Sequence, residues 1–85
     1  MQNNNLPGWF KGKCYEEGDT VKNPFSGEEY ELNNEELSMY DFIVGSQLVM
    51  EVKPKMITPQ AVKDFQKGLD WFRAKNAKAY MVLLD

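Results

Sequence analysis

The sequence predicts an α+β fold: an N-terminal β-hairpin, then two antiparallel helices, then a short C-terminal helix. Three observations predict it: a turn sequence at residues 23–27 between two strand-like segments, a capping signal before each of two helical segments, and an apolar run near the end. The capping signals place the long helices at about 34–52 and 59–75. With 85 residues in all, these elements are expected to make a single domain.

The turn sequence NPFSG, which starts at residue 23, predicts a hairpin loop of four residues, Pro24 to Gly27, built on a type I turn. Pro24 fixes φ near about −65°, and the Asn23 side chain is able to accept backbone N–H groups inside the loop. Gly27 adopts a positive φ at little cost. Strands are expected to flank the loop near Thr20–Lys22 and Glu28–Leu32.

The first helix begins at a capping box. Asn33 is a good N-cap residue, and Glu36 follows it by three positions. Leu32 and Leu37 have the spacing of a hydrophobic staple. Pro54 disfavours helical backbone in the residue before it, which ends the helix.

The second helix has an equally clear start, with Thr58 as N-cap and Pro59 as its first residue. Asn76 is expected to end it as a left-handed C′ residue. Spacings of three and four predict that its core stripe consists of Val62, Phe65, Leu69 and Phe72.

The end of the chain, residues 77–84, is either a short buried helix or a short buried strand. Its run of apolar residues has no periodicity that separates the two. We prefer a helix because Ala77, Lys78 and Ala79 are good helix formers, whereas a strand would pair with the hairpin. At the other end, residues 1–8 are expected to form a flexible tail.

The composition excludes several classes of protein. Cys14 is the only cysteine and there is no histidine, so an intrachain disulfide is impossible and thiolate or imidazole metal sites are not expected. No apolar run approaches the roughly 20 residues that a membrane-spanning helix needs, and the start lacks the features of a signal peptide. We therefore expect a cytoplasmic protein with no membrane partner, in which Cys14 is a buried or half-buried thiol.

Charge is divided unevenly along the chain. Residues 14–51 carry ten acids and one base, whereas residues 52–85 carry seven bases and three acids. Either the two halves lie side by side in one molecule, or opposite charge steers head-to-tail or antiparallel association between copies. Nucleic acid is not an expected partner, because no dense basic stripe faces one way.

The first helix is apolar on almost every side, which is typical of a buried helix. In so short a chain the hairpin and the second helix are too small to cover it, so we expect a second copy or another partner to complete the cover. Gly45 in mid-helix indicates either close approach of another backbone, with Gly68 as its counterpart, or a bend in the helix. The interface candidates on this helix are Met39, Phe42, Ile43, Gly45, Val49 and Met50.

Two further aromatic residues complete the candidate interface. Trp71 falls outside the core stripe of the second helix, between Lys67 and Lys75. It is either a surface aromatic with a cation–π contact or an interface anchor. Phe25 stands at the tip of the hairpin, where the turn assigns it no structural role. If the hairpin contacts a partner, we expect Phe25 to make the contact.

No catalytic, cofactor-binding or metal-binding residues are assigned from the sequence. Without histidine a general base would be a carboxylate, Lys or Tyr, and Cys14 has no His partner. The chain has no Gly-rich phosphate-binding loop. Acids of the hairpin and first helix could gather around Mg²⁺ or Ca²⁺, but their spacing matches no familiar metal-binding loop. We predict that the protein is not an enzyme and takes no cofactor.

Three segments, NPFSGEEYELNNEELSMYDFI, DFQKGLDWFR and NAKAYMVLLD, resemble small uncharacterised proteins of contractile-tailed phages that infect marine cyanobacteria. The resemblance covers most of residues 7–85. It implies a phage or marine microbial origin and expression in the cytoplasm of a bacterial host. It assigns no activity and no site residues.

The sequence therefore predicts a small non-enzymatic interaction module that forms a homo-oligomer through its first helix. A second hypothesis is an adaptor or inhibitor that binds a host protein through its acidic half, residues 14–51. A metal-dependent enzyme is the third.

Overall fold

The computed structural model describes residues 6–84, and in this range the predicted order of elements is confirmed. The third element is a helix. The Cα atoms span only 19 Å in the shortest direction, which corresponds to about two layers of secondary structure. The elements are β1 (Asp19–Lys22), β2 (Glu29–Leu32), α1 (Asn34–Val52), a 3₁₀ turn (Pro54–Met56), α2 (Pro59–Lys75) and α3 (Ala77–Leu83).

The antiparallel hairpin of β1 and β2 closes through the predicted loop. Gly27 has a φ of 80°, and Asn23 Oδ1 accepts a hydrogen bond of 2.8 Å from the backbone N–H of Phe25. Asn23 also donates from Nδ2 to the carbonyl of Val82 at 2.9 Å. A single side chain therefore fixes both the shape of the loop and its position against the end of α3.

The start of α1 is the predicted capping box. Glu36 N–H donates to Asn33 Oδ1 at 2.8 Å, and Asn33 N–H donates to Glu36 Oε1 at 3.0 Å. The second oxygen of Glu36 accepts a bond of 3.1 Å from Asn76 Nδ2. Asn76 Oδ1 in turn accepts from the N–H of Ala79 at 3.1 Å, which caps α3.

The predicted left-handed conformation of Asn76 is wrong, since its φ is −154° and its ψ is 83°. The reason is that α3 begins at the very next residue. Asn76 is therefore the last cap of α2 and the first cap of α3 at once, and an N-cap residue takes an extended backbone.

The core lies between α1, α2, α3 and the inner face of the hairpin. Gly68 sets the contact of the two long helices, because a Cβ there would lie 3.2 Å from Met39 Sδ and 3.3 Å from Ile43 Cγ1. The fully buried apolar side chains are Leu32, Met39, Ile43, Phe72, Ala79 and Leu83.

The predicted core stripe of α2 is partly wrong. Phe72 is buried and Phe65 and Leu69 pack against the core, but Val62 is 41% exposed. The residues that α2 buries are Asp64, Gly68 and Phe72, each four positions apart. Since Gly68 packs against Met39 and Ile43 of α1, the face of α2 that contains Gly68 turns inward, and Val62 lies outside this face.

An N-terminal arm, residues 6–18, crosses α1 before the hairpin begins. The backbone N–H of Tyr15 donates to Ser38 Oγ at 2.9 Å, and this buried hydroxyl donates to the carbonyl of Asn34 at 2.7 Å. Cys14, next to this anchor, is exposed, so its predicted burial is wrong. Of the predicted tail, residues 1–5 lie outside the described residues, whereas Leu6 packs against the core.

Candidate interaction surface on the first helix

The two halves of α1 differ in how far they are covered. All of its buried residues, Ser38, Met39 and Ile43, lie in the first half. The arm and α2 cover that half, through Tyr15 and Gly68 respectively. The second half of α1, residues 44–52, has no buried residue. Its exposed apolar side chains are Val44 (40% exposed), Leu48 (58%), Val49 (42%) and Val52 (63%).

These exposed residues form a continuous apolar strip, which we call the outer face of α1. It consists of Val44, Gly45, Leu48, Val49 and Val52. Residues four apart are neighbours on a helix, so Val44, Leu48 and Val52 make one row, with Gly45 and Val49 in a second row beside it. A Cβ at Gly45 would meet no other atom within 4 Å. The strip is therefore open to close approach from outside at Gly45.

A groove borders the outer face on the side of the 3₁₀ turn. Pro54 ends α1, and the chain turns back through Met56 and Ile57 into α2, which leaves a gap between the end of α1 and the start of α2. We call this gap the α1 groove, and its volume is about 420 Å³. Its lining is mostly apolar: Phe42, Gly45, Val49, Met50, Met56, Ile57 and Ala61, with Asp41 and Ser46 as the polar members.

Phe25 lies on the opposite side of the outer face. Its side chain is 97% exposed, and it borders a shallow hollow with Val44, Gln47 and Leu48. Because the loop beneath it is fixed by Asn23, this aromatic ring is held out on a defined support. Phe25 and the α1 groove thus flank the outer face on its two sides.

The eight residues predicted for the interface do not form one surface. Phe42, Gly45, Val49 and Met50 line the α1 groove together. Phe42 is half-buried, since the rings of Trp9 and Phe10 pack on it with centroid distances of 6.1 and 5.6 Å.

Met39 and Ile43 are corrected to core residues. They are 0% and 1% exposed, so in this fold they have no surface with which to contact a partner. They were predicted for the interface because α1 is apolar all round. Its own periodicity does not show which stripe faces α2.

The predicted pairing of Gly45 with Gly68 is also wrong within the molecule. Gly68 faces Met39, Phe42 and Ile43, whereas Gly45 faces open space. Trp71 is half-buried against the core, with Lys75 Nζ 5.8 Å from its ring centroid. Lys67, predicted to flank Trp71, lies instead 5.8 Å from the ring centroid of Trp9.

The sequence-based candidates omit Val44, Leu48, Val52 and Met56, all exposed apolar residues beside Gly45 or the groove. Val44 and Leu48 belong to a stripe that continues from Leu37 and Tyr40, which pack against the core. A stripe that begins in the core and ends in solvent looks uniform in sequence. Gly45 in mid-helix and the apolar character of α1 on almost every side were the signals in the sequence that pointed to this region.

Burial raises the pKa of the Tyr40 hydroxyl above its ordinary value of 10.0. Between residues 6 and 84, no group of three or more His, Cys, Asp or Glu side chains has a metal-binding arrangement. In the same range no helix is both long and apolar enough to cross a bilayer.

Comparison with protein-family models, curated proteins and solved structures finds no match to this chain. The resemblance to phage proteins stays an expectation from the sequence. The surface of α1 and the distribution of charge are therefore the two features of the molecule that indicate a function.

Proposed function

We propose that the protein is a small non-enzymatic interaction module that self-associates through α1. The observation that carries this proposal is the outer face: two adjacent rows of apolar side chains around an open glycine. Isolated exposed apolar residues are ordinary on protein surfaces, but a continuous strip is typical of a binding surface.

The energetic gain from covering this strip is large for a domain of this size. Removing a fully exposed Val or Leu side chain from water contributes about 1.5–3 kcal/mol, and these side chains retain roughly half of that exposure. Several of them together are comparable with the total stability of a small domain, on the order of 5 kcal/mol. Association would thus supplement a core that carries no disulfide, since Cys14 is the only cysteine.

The shape of the outer face suits a helix from a second copy. Rows of residues four apart form ridges that pack into the grooves of another helix, at interaxial distances of about 8–10 Å. Gly45 lies in the second row beside Val49, and because it has no side chain the two helix axes are able to approach to the shorter of these distances.

A charge placed in the outer face tests the proposal. Leu48→Glu puts a carboxylate in the middle of the strip, where burial would remove it from water, and Gln66→Glu adds the same charge at an exposed position of α2. Sedimentation velocity at increasing protein concentration should show association of the wild type and of Gln66→Glu, and monomers for Leu48→Glu. A wild-type chain that stays monomeric throughout would refute self-association. Equal association of all three would refute the role of the outer face.

A second candidate function is supported by the charge distribution. The acids of the arm and the hairpin, Glu16, Glu17, Asp19, Glu28, Glu29 and Glu31, are all exposed. We propose as the alternative that this acidic surface binds a basic surface of a bacterial host protein, as an adaptor or inhibitor. Such a contact weakens with salt because it is largely electrostatic.

The alternative is tested by capture from bacterial lysate at low and moderate salt. The wild type should recover a partner at low salt that is lost at moderate salt. A variant with Glu28, Glu29 and Glu31 changed to Gln should recover less of it. Recovery of the same proteins by this neutralised variant would refute a specific role for the acidic surface.

A further inference from the structure

We propose that the α1 groove of one copy binds Phe25 of a second copy. This inference rests on the proposed self-association and names the two parts that fit together. It also gives a function to Phe25, a residue that has no structural role in the single chain.

The first part is an aromatic side chain on a fixed support. Phe25 is 97% exposed, so its ring gains almost nothing from its own chain. The loop that carries it is held by Gly27 N–H on the carbonyl of Asn23 at 2.8 Å, and by Asn23 Nδ2 on the carbonyl of Val82. Little backbone entropy is therefore lost when the ring is bound, which favours a role as an anchor residue.

The second part is an apolar recess of suitable size. The α1 groove, at about 420 Å³, lies at the small end of the range for ligand-binding pockets. Such a recess fits one large side chain with its neighbours rather than a whole helix. Gly45 contributes to the space, because any side chain there would project into the groove.

The chain cannot fill its own groove with this residue. Phe25 borders Val44, Gln47 and Leu48, whereas the groove is lined from Gly45, Val49 and Met50 on the other side of the outer face. A second copy seated on the outer face with its α1 parallel to the first brings another Phe25 to the region of the groove, because Phe25 and the groove lie on opposite sides of that face. The same contact then covers the outer face and the groove.

Charge complementarity favours a second copy of this chain as the occupant. Beside Phe25 stand the exposed acids Glu28, Glu29 and Glu51, with one base, Lys22, across the hairpin from Glu29. Residues 53–63 form the far wall of the groove. They carry the exposed bases Lys53, Lys55 and Lys63 and no acid. Asp41 is the acidic residue in the lining itself. Opposite charges around an apolar contact steer association and fix its orientation.

The test uses one variant of each part and a matched control. Phe25→Ala removes the ring, and Gly45→Leu fills the groove at a position where the structure offers free space. Met81→Ala removes another exposed apolar side chain, 67% exposed on α3, away from both parts. Sedimentation velocity should show that Phe25→Ala and Gly45→Leu each weaken self-association by about tenfold or more, and that Met81→Ala leaves it unchanged.

Mixing the two variants gives the decisive result. Phe25→Ala retains an intact groove and Gly45→Leu retains an intact Phe25, so an equimolar mixture should associate more strongly than either variant alone. A mixture that associates no more than its components would overturn the inference. Circular dichroism confirms folding of each variant, and Met56→Glu at the exposed rim of the groove repeats the test should Gly45→Leu lose its fold.

The outcomes separate this inference from the proposed function. If the wild type is monomeric at every concentration, self-association and the inference both fail. If the wild type associates and Phe25→Ala associates equally well, the inference fails while self-association through α1 stands.

Discussion

Gly18 shows how much of this fold depends on one residue without a side chain. A Cβ at Gly18 would overlap the carbonyl oxygen of Leu32 and would lie 2.8 Å from the Cα of Asn33. Both neighbours are backbone atoms, which cannot rotate away. The arm therefore passes directly over the junction between β2 and α1, and only glycine allows it to do so.

We predict that Gly18→Ala destabilises the protein by about 1–3 kcal/mol, because the junction has to shift to make room. Gly8→Ala is the matched control, since a Cβ at Gly8 would meet no atom within 4 Å. Urea unfolding of both variants should show a lower midpoint for Gly18→Ala alone. Equal midpoints would show that the arm does not lie over the junction as described.

For the individual elements, the sequence predicted the helix caps and the turn, which depend on residues only a few positions apart. The capping box of Asn33 and Glu36, the cap at Thr58 and the positive φ of Gly27 all depend on partners at most four positions away. The structure adds partners that are distant in sequence. Examples are the bond from Asn23 to Val82 and the bond from Asn76 to Glu36. No local pattern encodes these two hydrogen bonds. The sequence therefore predicted where each element lies along the chain, but not which elements contact each other.

The candidate site could be predicted only in part for the same reason. The sequence indicated that α1 has more apolar surface than so short a chain covers, and it singled out Gly45. It could not show which stripe the chain covers itself, because that depends on the contact of α1 with Gly68 of α2. Met39 and Ile43 were therefore predicted for the interface, and Leu48 was not.

Asn76 joins three elements, and its replacement tests that role. Asn76→Ala removes the cap of α3 and leaves one oxygen of Glu36 without its partner, so we predict a loss of about 1–2 kcal/mol in the free energy of unfolding. Asn76→Ser, which retains a capping oxygen but has no amide to reach Glu36, should fall between Ala and the wild type in urea unfolding. Equal stability of Ala and Ser variants would show that the cap contributes nothing.

At the scale of the whole molecule, opposite charges lie at different places around one apolar surface. Six exposed acids lie in the arm and hairpin, whereas the exposed bases Lys53, Lys55 and Lys63 lie together along the 3₁₀ turn and the start of α2. The ion pair between Asp70 and Arg73, at 3.6 Å, lies within α2 and does not join the two halves. The hairpin acids and the bases of the groove wall are exposed, and the proposed association would bring them together.

We propose that a second copy covers the second half of α1. Hydrogen–deuterium exchange of the wild-type chain measures whether this half becomes covered. Exchange is measured by mass spectrometry at low and at high protein concentration, with residues 69–75 of α2 as the internal reference because none of them borders Phe25 or lines the groove. We expect that exchange in residues 44–52 slows as concentration rises, and slows more than in residues 69–75. Exchange in residues 44–52 that does not depend on concentration would contradict it.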